Sequence, residues 1–212
     1  LSKTACVVIF ASSFGGVFRS TDNGDSWTTS LTNIQVNFLA TNISGVVFAA
    51  SEYSGVFRST DSGDSWTAIS YGLGYTDVWA LAINPVGDIF AGNFGAGVFR
   101  SSDNGDSWIA INNGLTNTRI WALAINTSGD IFAGTYGSGV FRSTDNGVNW
   151  TAINNGLTYF QVLSFTIHNS GDIFAGTGYY LFRSTDNGEN WTYINIGVTY
   201  ADIWALEINT NG

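Results

Sequence analysis

The stretch STDNGDSW at residues 20–27 is the first of five near-copies in a chain of 212 residues. The other copies are STDSGDSW at 59–66, SSDNGDSW at 101–108, STDNGVNW at 143–150 and STDNGENW at 184–191. Their closing tryptophans are 39, 42, 42 and 41 residues apart. A period of about 40 residues is typical of propeller blades built from four short strands. The spacing therefore predicts a repeat protein of the β-propeller class.

One repeat unit, read in detail, contains four short apolar segments. We name them strands A, B, C and D in chain order; in the third unit they are VWALAIN (78–84), DIFAG (88–92), GVFRS (97–101) and WIAIN (108–112). Glycine and polar clusters separate the segments, and none has a sustained helical period. The pattern predicts an all-β fold of four-stranded antiparallel blades, with strand A innermost.

The eight-residue stretches, which we call the box turns, join strand C to strand D. An Asp side chain in such a turn can accept hydrogen bonds from backbone N–H groups ahead of it, and Gly tolerates the positive φ that the turn requires. The tryptophan is expected to pack the turn onto the blade. The alternative is a weak cation site formed by Asp22 and Asp25 or their counterparts. Val148, which replaces Asp25 in the fourth copy, argues against that alternative.

The pattern Ser-x-Asp-x-Gly-x-x-Trp resembles the Asp box of the bacterial neuraminidase repeat. That repeat occurs in sialidases, xyloglucan-cleaving enzymes, sortilin-like receptors and photosystem assembly factors. All five copies match the pattern, and the resemblance covers essentially the whole chain. Because the box is a fold element away from the catalytic face in those families, the resemblance implies a structural role for ten residues. They are Asp22, Asp61, Asp103, Asp145, Asp186, Trp27, Trp66, Trp108, Trp150 and Trp191.

The two ends of the chain predict the number of blades. Strand A recurs with a glycine behind it, and these glycines are Gly45, Gly87, Gly129, Gly171 and Gly212. The last copy has no strands B, C and D after it, whereas VVIFAS (7–12) matches strand B with no strand A before it. We therefore expect residues 1–212 to form a single five-bladed domain, closed by pairing of the C-terminal strand with the N-terminal blade. A piece cut from a longer natural protein is the alternative.

The composition limits the classes of partner. A net charge of −9 with seven basic residues argues against nucleic-acid binding and against binding to an anionic membrane surface. No apolar run approaches the ~18 residues of a membrane-spanning helix. The single cysteine, Cys6, cannot form an internal disulfide or a cysteine-based metal site. We predict an extracellular or periplasmic protein without a metal or another cofactor.

Candidate functional residues lie where the repeats differ. Before strand A the five units carry different polar residues, which we call the ring positions: Gln35, Asp77, Arg119, Gln161 and Asp202. The loops between strands B and C each carry an aromatic residue: Phe14, Tyr53, Phe94, Tyr136 and Tyr179, with Tyr180 beside the last. Aromatic faces beside polar side chains suit sugars. These ten residues are the predicted ligand site at the channel mouth. Alternatively, the rings merely fill glycine-rich loops and the polar residues are solvated.

Catalytic signatures are weak. Sialidases hold the substrate carboxylate with three arginines and carry an Arg-Ile-Pro signature, whereas the only proline here, Pro85, follows Asn84. Five of the six arginines occupy one repeated position before the box, where we expect contacts within the blade; only Arg119 is left over. Glu52 and Glu207 are further blade-specific carboxylates, but no pattern marks a catalytic pair among them. His168 replaces an asparagine of the turn between strands A and B, which favours a turn role.

The sequence thus favours a non-catalytic binding or scaffold module. Its partner would be a glycan or a protein, and no oligomeric state is indicated. Three classes of function compete: a lectin-like ligand binder, a structural or protein-interaction unit, and a glycoside hydrolase of the Asp-box type.

Overall fold

A computed structural model describes residues 7–197 and 201–209. Cys6 and Gly212 therefore lie outside the described residues. Nineteen strands form five antiparallel sheets, and the described residues contain no helix. The all-β prediction is confirmed, and the sheets are the blades of a β-propeller.

The sheets follow one another along the chain. Sheet 1 contains β1 (Ile9–Ser13), β2 (Gly16–Ser20) and β3 (Thr28–Thr32). Sheet 2 contains β4 (Val36–Thr41), β5 (Val47–Ser51), β6 (Gly55–Ser59) and β7 (Thr67–Ala68). Sheet 3 contains β8 (Val78–Ile83), β9 (Ile89–Asn93), β10 (Gly97–Ser101) and β11 (Ile109–Ala110). Sheet 4 contains β12 (Ile120–Ile125), β13 (Ile131–Thr135), β14 (Val140–Ser143) and β15 (Thr151–Ala152). Sheet 5 contains β16 (Val162–Ile167), β17 (Ile173–Thr177), β18 (Leu181–Ser184) and β19 (Thr192–Ile194).

Strand B is the buried strand of the blade. Every residue of β5, β9 and β13 is buried. Their sequences, VFAAS, IFAGN and IFAGT, are nearly continuous apolar runs, as expected of strands covered on both faces. The apolar side chains pack mainly between neighbouring sheets, since Phe48 and Val56 of sheet 2 share one cluster with Val78 and Leu81 of sheet 3. Each blade therefore needs its neighbour to complete a core.

Strand D is shorter than predicted. The segment WIAIN was expected to be a strand over 108–112, but β11 covers only Ile109–Ala110. The backbone N–H of Trp108 donates to the carbonyl oxygen of Tyr71, in the loop that follows β7, at 3.0 Å, and not to strand C of its own blade. Because the backbone of Trp108 bonds to the neighbouring blade, the strand begins one residue later than predicted.

The box turns lie at the end of each blade opposite the ring positions. Strand A runs away from its ring position, strand B returns toward it and strand C runs away again. The turn after strand C is therefore at the far end of the blade. The third copy shows their internal hydrogen bonds. Asp103 Oδ1 accepts from the backbone N–H of Ser107 at 2.9 Å and from the hydroxyl of Ser101 at 2.7 Å. Asn104 and Gly105 have φ values of 60° and 93°, a conformation that favours Asn and Gly. The side chains of the turn thus satisfy its own backbone.

The repeated arginines were expected to make contacts within their own blade, and most of them do not. Contacts within the blade occur for only two of them, Arg100 with Asp88 at 2.7 Å and Arg183 with Asp172 at 2.5 Å. The other three pair with the box-turn acid of the next sheet: Arg19 with Asp64, Arg58 with Asp106 and Arg142 with Glu189. In the sheet that follows that of Arg100, the box turn has Val148 at the position of this acid, and its side chain offers no acceptor. The repeated arginine therefore mainly links neighbouring blades.

The C-terminal segment takes the place of a further inner strand beside sheet 5. A Cβ built on Gly176 would lie 2.6 Å from Cγ2 of Ile203, just as one on Gly92 would lie 2.7 Å from Cγ2 of Ile120. The Ile203 carbonyl also accepts from the hydroxyl of Ser164 at 2.7 Å. Residues 201–209 nevertheless form no assigned strand, and β1 is half-buried to exposed along its length. Four sheets have the predicted four strands, whereas sheet 1 has three. Closure by pairing with sheet 1 remains a prediction.

Candidate ligand-binding site

A cavity of about 490 Å³ lies between the inner strands of the blades. Sheets 2 to 5 contribute residues to its wall, and the C-terminal segment contributes Trp204 to Glu207. The lining residues are Asn37, Phe38, Trp79, Trp121, Ala122, Leu123, Leu163, Ser164, Phe165, Trp204, Ala205, Leu206 and Glu207. Its volume falls within the ~300–1,000 Å³ of small-molecule sites.

Five aromatic side chains meet beside this cavity. We call them the aromatic cluster: Trp79, Phe94, Trp121, Tyr136 and Trp204. Trp121 is central, because its ring centroid lies 4.8 Å from that of Trp79, 5.5 Å from that of Tyr136 and 5.0 Å from that of Trp204. Trp204 is 53% exposed and Tyr136 is 41% exposed. The cluster therefore exposes ring surface that a ligand could contact, and its rings hold one another in place by packing.

The cluster also contains an unused hydrogen-bond donor. Nε1 of Trp121 is buried and has no partner among the described residues. By contrast, Nε1 of Trp79 donates to Asp77 Oδ1 at 2.6 Å. A buried donor without an acceptor is costly, and because Nε1 is closed off from solvent, a ligand oxygen reaches it only if the surrounding side chains move.

A polar group adjoins the aromatic cluster at the ends of sheets 2 and 3. The side-chain amide of Gln35 donates to Glu52. Burial raises the pKa of Asp77, and the nearby charge of Glu52 raises it further, against the lowering effect of the Trp79 hydrogen bond. Its hydrogen bond with Glu52 raises the pKa of Tyr53. These residues place two carboxylates close enough to repel each other beside the aromatic cluster.

Backbone hydrogen bonds join the ring positions to the loops between strands B and C. The carbonyl of Asp77 accepts from the N–H of Phe94, and the carbonyl of Arg119 accepts from the N–H of Tyr136, both at 2.9 Å. Gln35 and Gln161 make the corresponding bonds to Glu52 and Gly178, at 3.3 Å each. The guanidinium of Arg119 lies over the ring of Phe94, 5.6 Å from its centroid. The structure thus brings Asp77, Arg119, Phe94 and Tyr136 together.

Other predicted residues lie apart from the aromatic cluster. Tyr179 and Tyr180 form a second aromatic group with Tyr159, whose centroid is 4.8 Å from that of Tyr179. The pKa of Tyr159 is raised, chiefly by burial, and the charge of Asp202 adds to this effect. Phe14 is 83% exposed.

Sequence reasoning missed the three tryptophans of the cluster. Trp79, Trp121 and Trp204 lie inside strand A, which was read as repeated core. A signal was present, because the same position carries Asn37 in sheet 2 and Leu163 in sheet 5. A varying residue two places after a ring position lies on the same face of the strand as that ring position.

Within residues 7–197 and 201–209, no group of three or more His, Cys, Asp or Glu side chains is arranged to hold a metal ion. Over the same residues, no helix has the length and apolarity needed to span a bilayer.

His168 forms part of the turn between strands A and B. Its backbone N–H donates to the carbonyl of Asp172, and its carbonyl accepts from the N–H of Gly171, both at 2.8 Å.

No protein-family model and no curated protein sequence matches the chain. Solved structures do match, and the three described here are 15–20% identical to the chain. An ancestral GH74 enzyme is 20% identical with a TM-score of 0.72, over 92% of this chain and 30% of that one. YCF48 bound to D1 peptide is 17% identical with a TM-score of 0.61, over 84% of this chain and 60% of that one. PorZ, a surface component of the type-IX secretion system of Porphyromonas gingivalis, is 15% identical with a TM-score of 0.72, over 95% of this chain and 34% of that one. These similarities show the propeller fold, and the chain spans less than two thirds of the length of each of these proteins.

Proposed function

We propose that the chain is a non-catalytic extracellular binding module that holds a glycan against the aromatic cluster. The observation that carries the proposal is the exposed ring surface of Trp204 and Tyr136, which belong to the aromatic cluster beside a cavity of about 490 Å³. Sugars stack their C–H faces on aromatic rings and supply hydroxyl oxygens as acceptors. Trp204 and Tyr136 supply exposed ring surface, and Asp77 and Glu52 can accept hydrogen bonds from sugar hydroxyls. An extracellular location suits such a ligand.

We propose that the site binds its glycan without cleaving it. A glycosidase needs one carboxyl group that stays protonated and a second that stays ionised across the scissile bond. Asp77 and Glu52 interact with each other beside the aromatic cluster, and we propose that both act as acceptors for sugar hydroxyls. The absence of turnover of chromogenic glycosides would agree with binding alone, and measurable hydrolysis that Asp77→Asn abolishes would overturn it.

Glycan-array binding followed by titration of the strongest hit tests the proposal. We expect Trp121→Phe and Trp204→Ala each to weaken binding at least tenfold, because the first shrinks the ring at the centre of the aromatic cluster and the second removes exposed ring surface. Trp27→Phe is the matched control, since Trp27 lies in a box turn at the opposite end of the blade. Unchanged affinity in both cavity variants would place the ligand elsewhere.

Protein binding is the second candidate function. It is favoured by three strongly exposed aromatic side chains, Phe14 at 83%, Tyr53 at 71% and Tyr75 at 67%. Exposed aromatic residues are enriched at protein interfaces. A protein partner whose affinity falls with Tyr53→Ala and Tyr75→Ala, but not with Trp121→Phe, would support this function instead.

A further inference from the structure

The cavity edge carries more negative than positive charge. Glu207 lines the cavity, Glu52 and Asp77 adjoin the aromatic cluster, and Asp202 occupies a ring position. None of these four carboxylates belongs to an ion pair within the described part of the chain. The other described arginines are engaged in ion pairs, which leaves Arg119 as the cation at the ring positions.

Arg119 supplies a single positive charge against these four carboxylates. Its guanidinium is exposed and stacked over Phe94, 5.6 Å from the ring centroid, and it belongs to no ion pair among the described residues. Asp77 is partly buried and already repelled by Glu52, so a third negative charge nearby would add a repulsion that little water screens. A carboxylate, sulfate or phosphate on a ligand would meet this field at close range.

The hydrogen-bonding capacity of the site also favours a ligand with hydroxyl groups. Asp77 accepts from Trp79 and Glu52 accepts from Gln35, and each carboxylate keeps further lone pairs that can accept from additional donors. The hydroxyl groups of a sugar can donate to these lone pairs. An ionised carboxylate, sulfate or phosphate group has no hydrogen to donate to them.

From these observations, and resting on the proposed glycan site, we infer that the cavity selects neutral saccharides and rejects those carrying sialic acid, uronic acid or sulfate groups. The aromatic cluster supplies the stacking energy for both kinds of sugar. The carboxylates Glu52, Asp77 and Glu207 discriminate between them. The discrimination is electrostatic, so it weakens as salt is added.

A glycan array of matched pairs that differ only in one acidic group tests the inference. We expect hits among the neutral members and at least tenfold weaker binding of each acidic counterpart at about 10 mM salt, with the gap narrowing at about 1 M salt. Acidic members that bind as tightly as their neutral counterparts, through a site that Trp121→Phe weakens, would overturn the inference while leaving the proposed function intact.

The charge-removing variant E52Q/D77N/E207Q tests the cause of the selection. Each substitution keeps the shape of the side chain and an oxygen acceptor, so Trp79 retains its partner. We expect the ratio of neutral to acidic affinity to fall at least several-fold in this variant. Asp25→Asn, a charge removal at the opposite end of the blade, should leave the ratio unchanged. An unaltered ratio in the triple variant would overturn the inference, and failure of every glycan to bind would overturn the proposed function with it.

Discussion

The indole N–H of Trp108 donates to the carbonyl oxygen of Ile69, 39 positions earlier in the chain and in the preceding sheet, at 2.6 Å. Trp150 and Trp191 make the same bond to Ile111 and Ile153, at 2.7 and 2.8 Å. The box-turn tryptophan thus fastens its blade to the previous one. Trp27 differs, because its indole donates to Gly24 of its own turn and the side chain is 44% exposed.

Trp150→Phe should destabilise the protein by roughly 1–3 kcal/mol, because the buried carbonyl of Ile111 loses its donor. Trp27→Phe should cost less, since that side chain makes no bond to another sheet. Thermal or urea unfolding of the two variants measures the difference. An equal loss for Trp27→Phe would mean that sheets 5 and 1 form the same contact in solution.

The box-turn aspartates should make stability fall in acid. The pKa values of Asp22, Asp61 and Asp103 are lowered from 3.8 to about 2, chiefly by hydrogen bonds from the serine four positions later. A lowered pKa in the folded state contributes stability that is present above pH 3.8 and is lost as the pH falls toward about 2. Melting temperatures measured between those two pH values should decline, and the decline should be shallower in Asp61→Asn.

Asp145→Ala should lower the melting temperature without changing the affinity of each folded molecule for a ligand. Asp145 accepts from the backbone N–H of Asn149 at 2.8 Å and from the hydroxyl of Ser143 at 2.8 Å, at the end of the blade opposite the cavity. Calorimetry and ligand titration on the same preparation separate the two effects. Loss of binding at an unchanged melting temperature would identify the box turn as a site.

The ring positions are predicted to matter for binding and not for folding. The triple variant D77N/R119Q/D202N should lose at most ~0.5 kcal/mol at each of the exposed positions Arg119 and Asp202. At the partly buried Asp77, Asn keeps an oxygen acceptor for Trp79, so the fold should also be retained there. It should weaken an identified ligand by at least ~1.4 kcal/mol, a factor of ten. Arg142→Gln is the control, because Arg142 bonds to Glu189 at 2.7 Å in the next sheet and should chiefly affect stability. A triple variant that binds like the parent would exclude the ring positions as the site.

Closure of a single domain over residues 1–212 is tested by deleting residues 203–212. The deletion removes the contact of Ile203 with Gly176 and leaves strand edges uncovered, so we expect aggregation or failure to fold. Solubility, mass in solution and melting temperature are the measurements. A soluble monomer with the melting temperature of the parent would contradict the closed five-bladed ring.

The sequence by itself determined the strand order, the number of sheets and the place of the box turns. These features follow from local chemistry repeated five times: glycine and asparagine set the turns, and alternating or continuous apolar residues set the strands. The ring positions were also recognisable, because a position that varies among otherwise similar repeats is free of the shared packing constraint. Strand lengths were less predictable, since the contact of Trp108 with Tyr71 lies outside its own repeat.

Only the tertiary structure decided which repeats meet. Arg58 and Arg100 occupy equivalent positions, yet Arg58 bonds to the next sheet and Arg100 to its own, because Val148 replaces the acid that Arg100 would contact. Likewise, Trp79, Trp121 and Trp204 come from three units and share one cluster only after the inner strands surround a common cavity. Pairings between repeats depend on the arrangement of whole sheets in space, and the sequence of one repeat contains no information about its neighbour across the cavity.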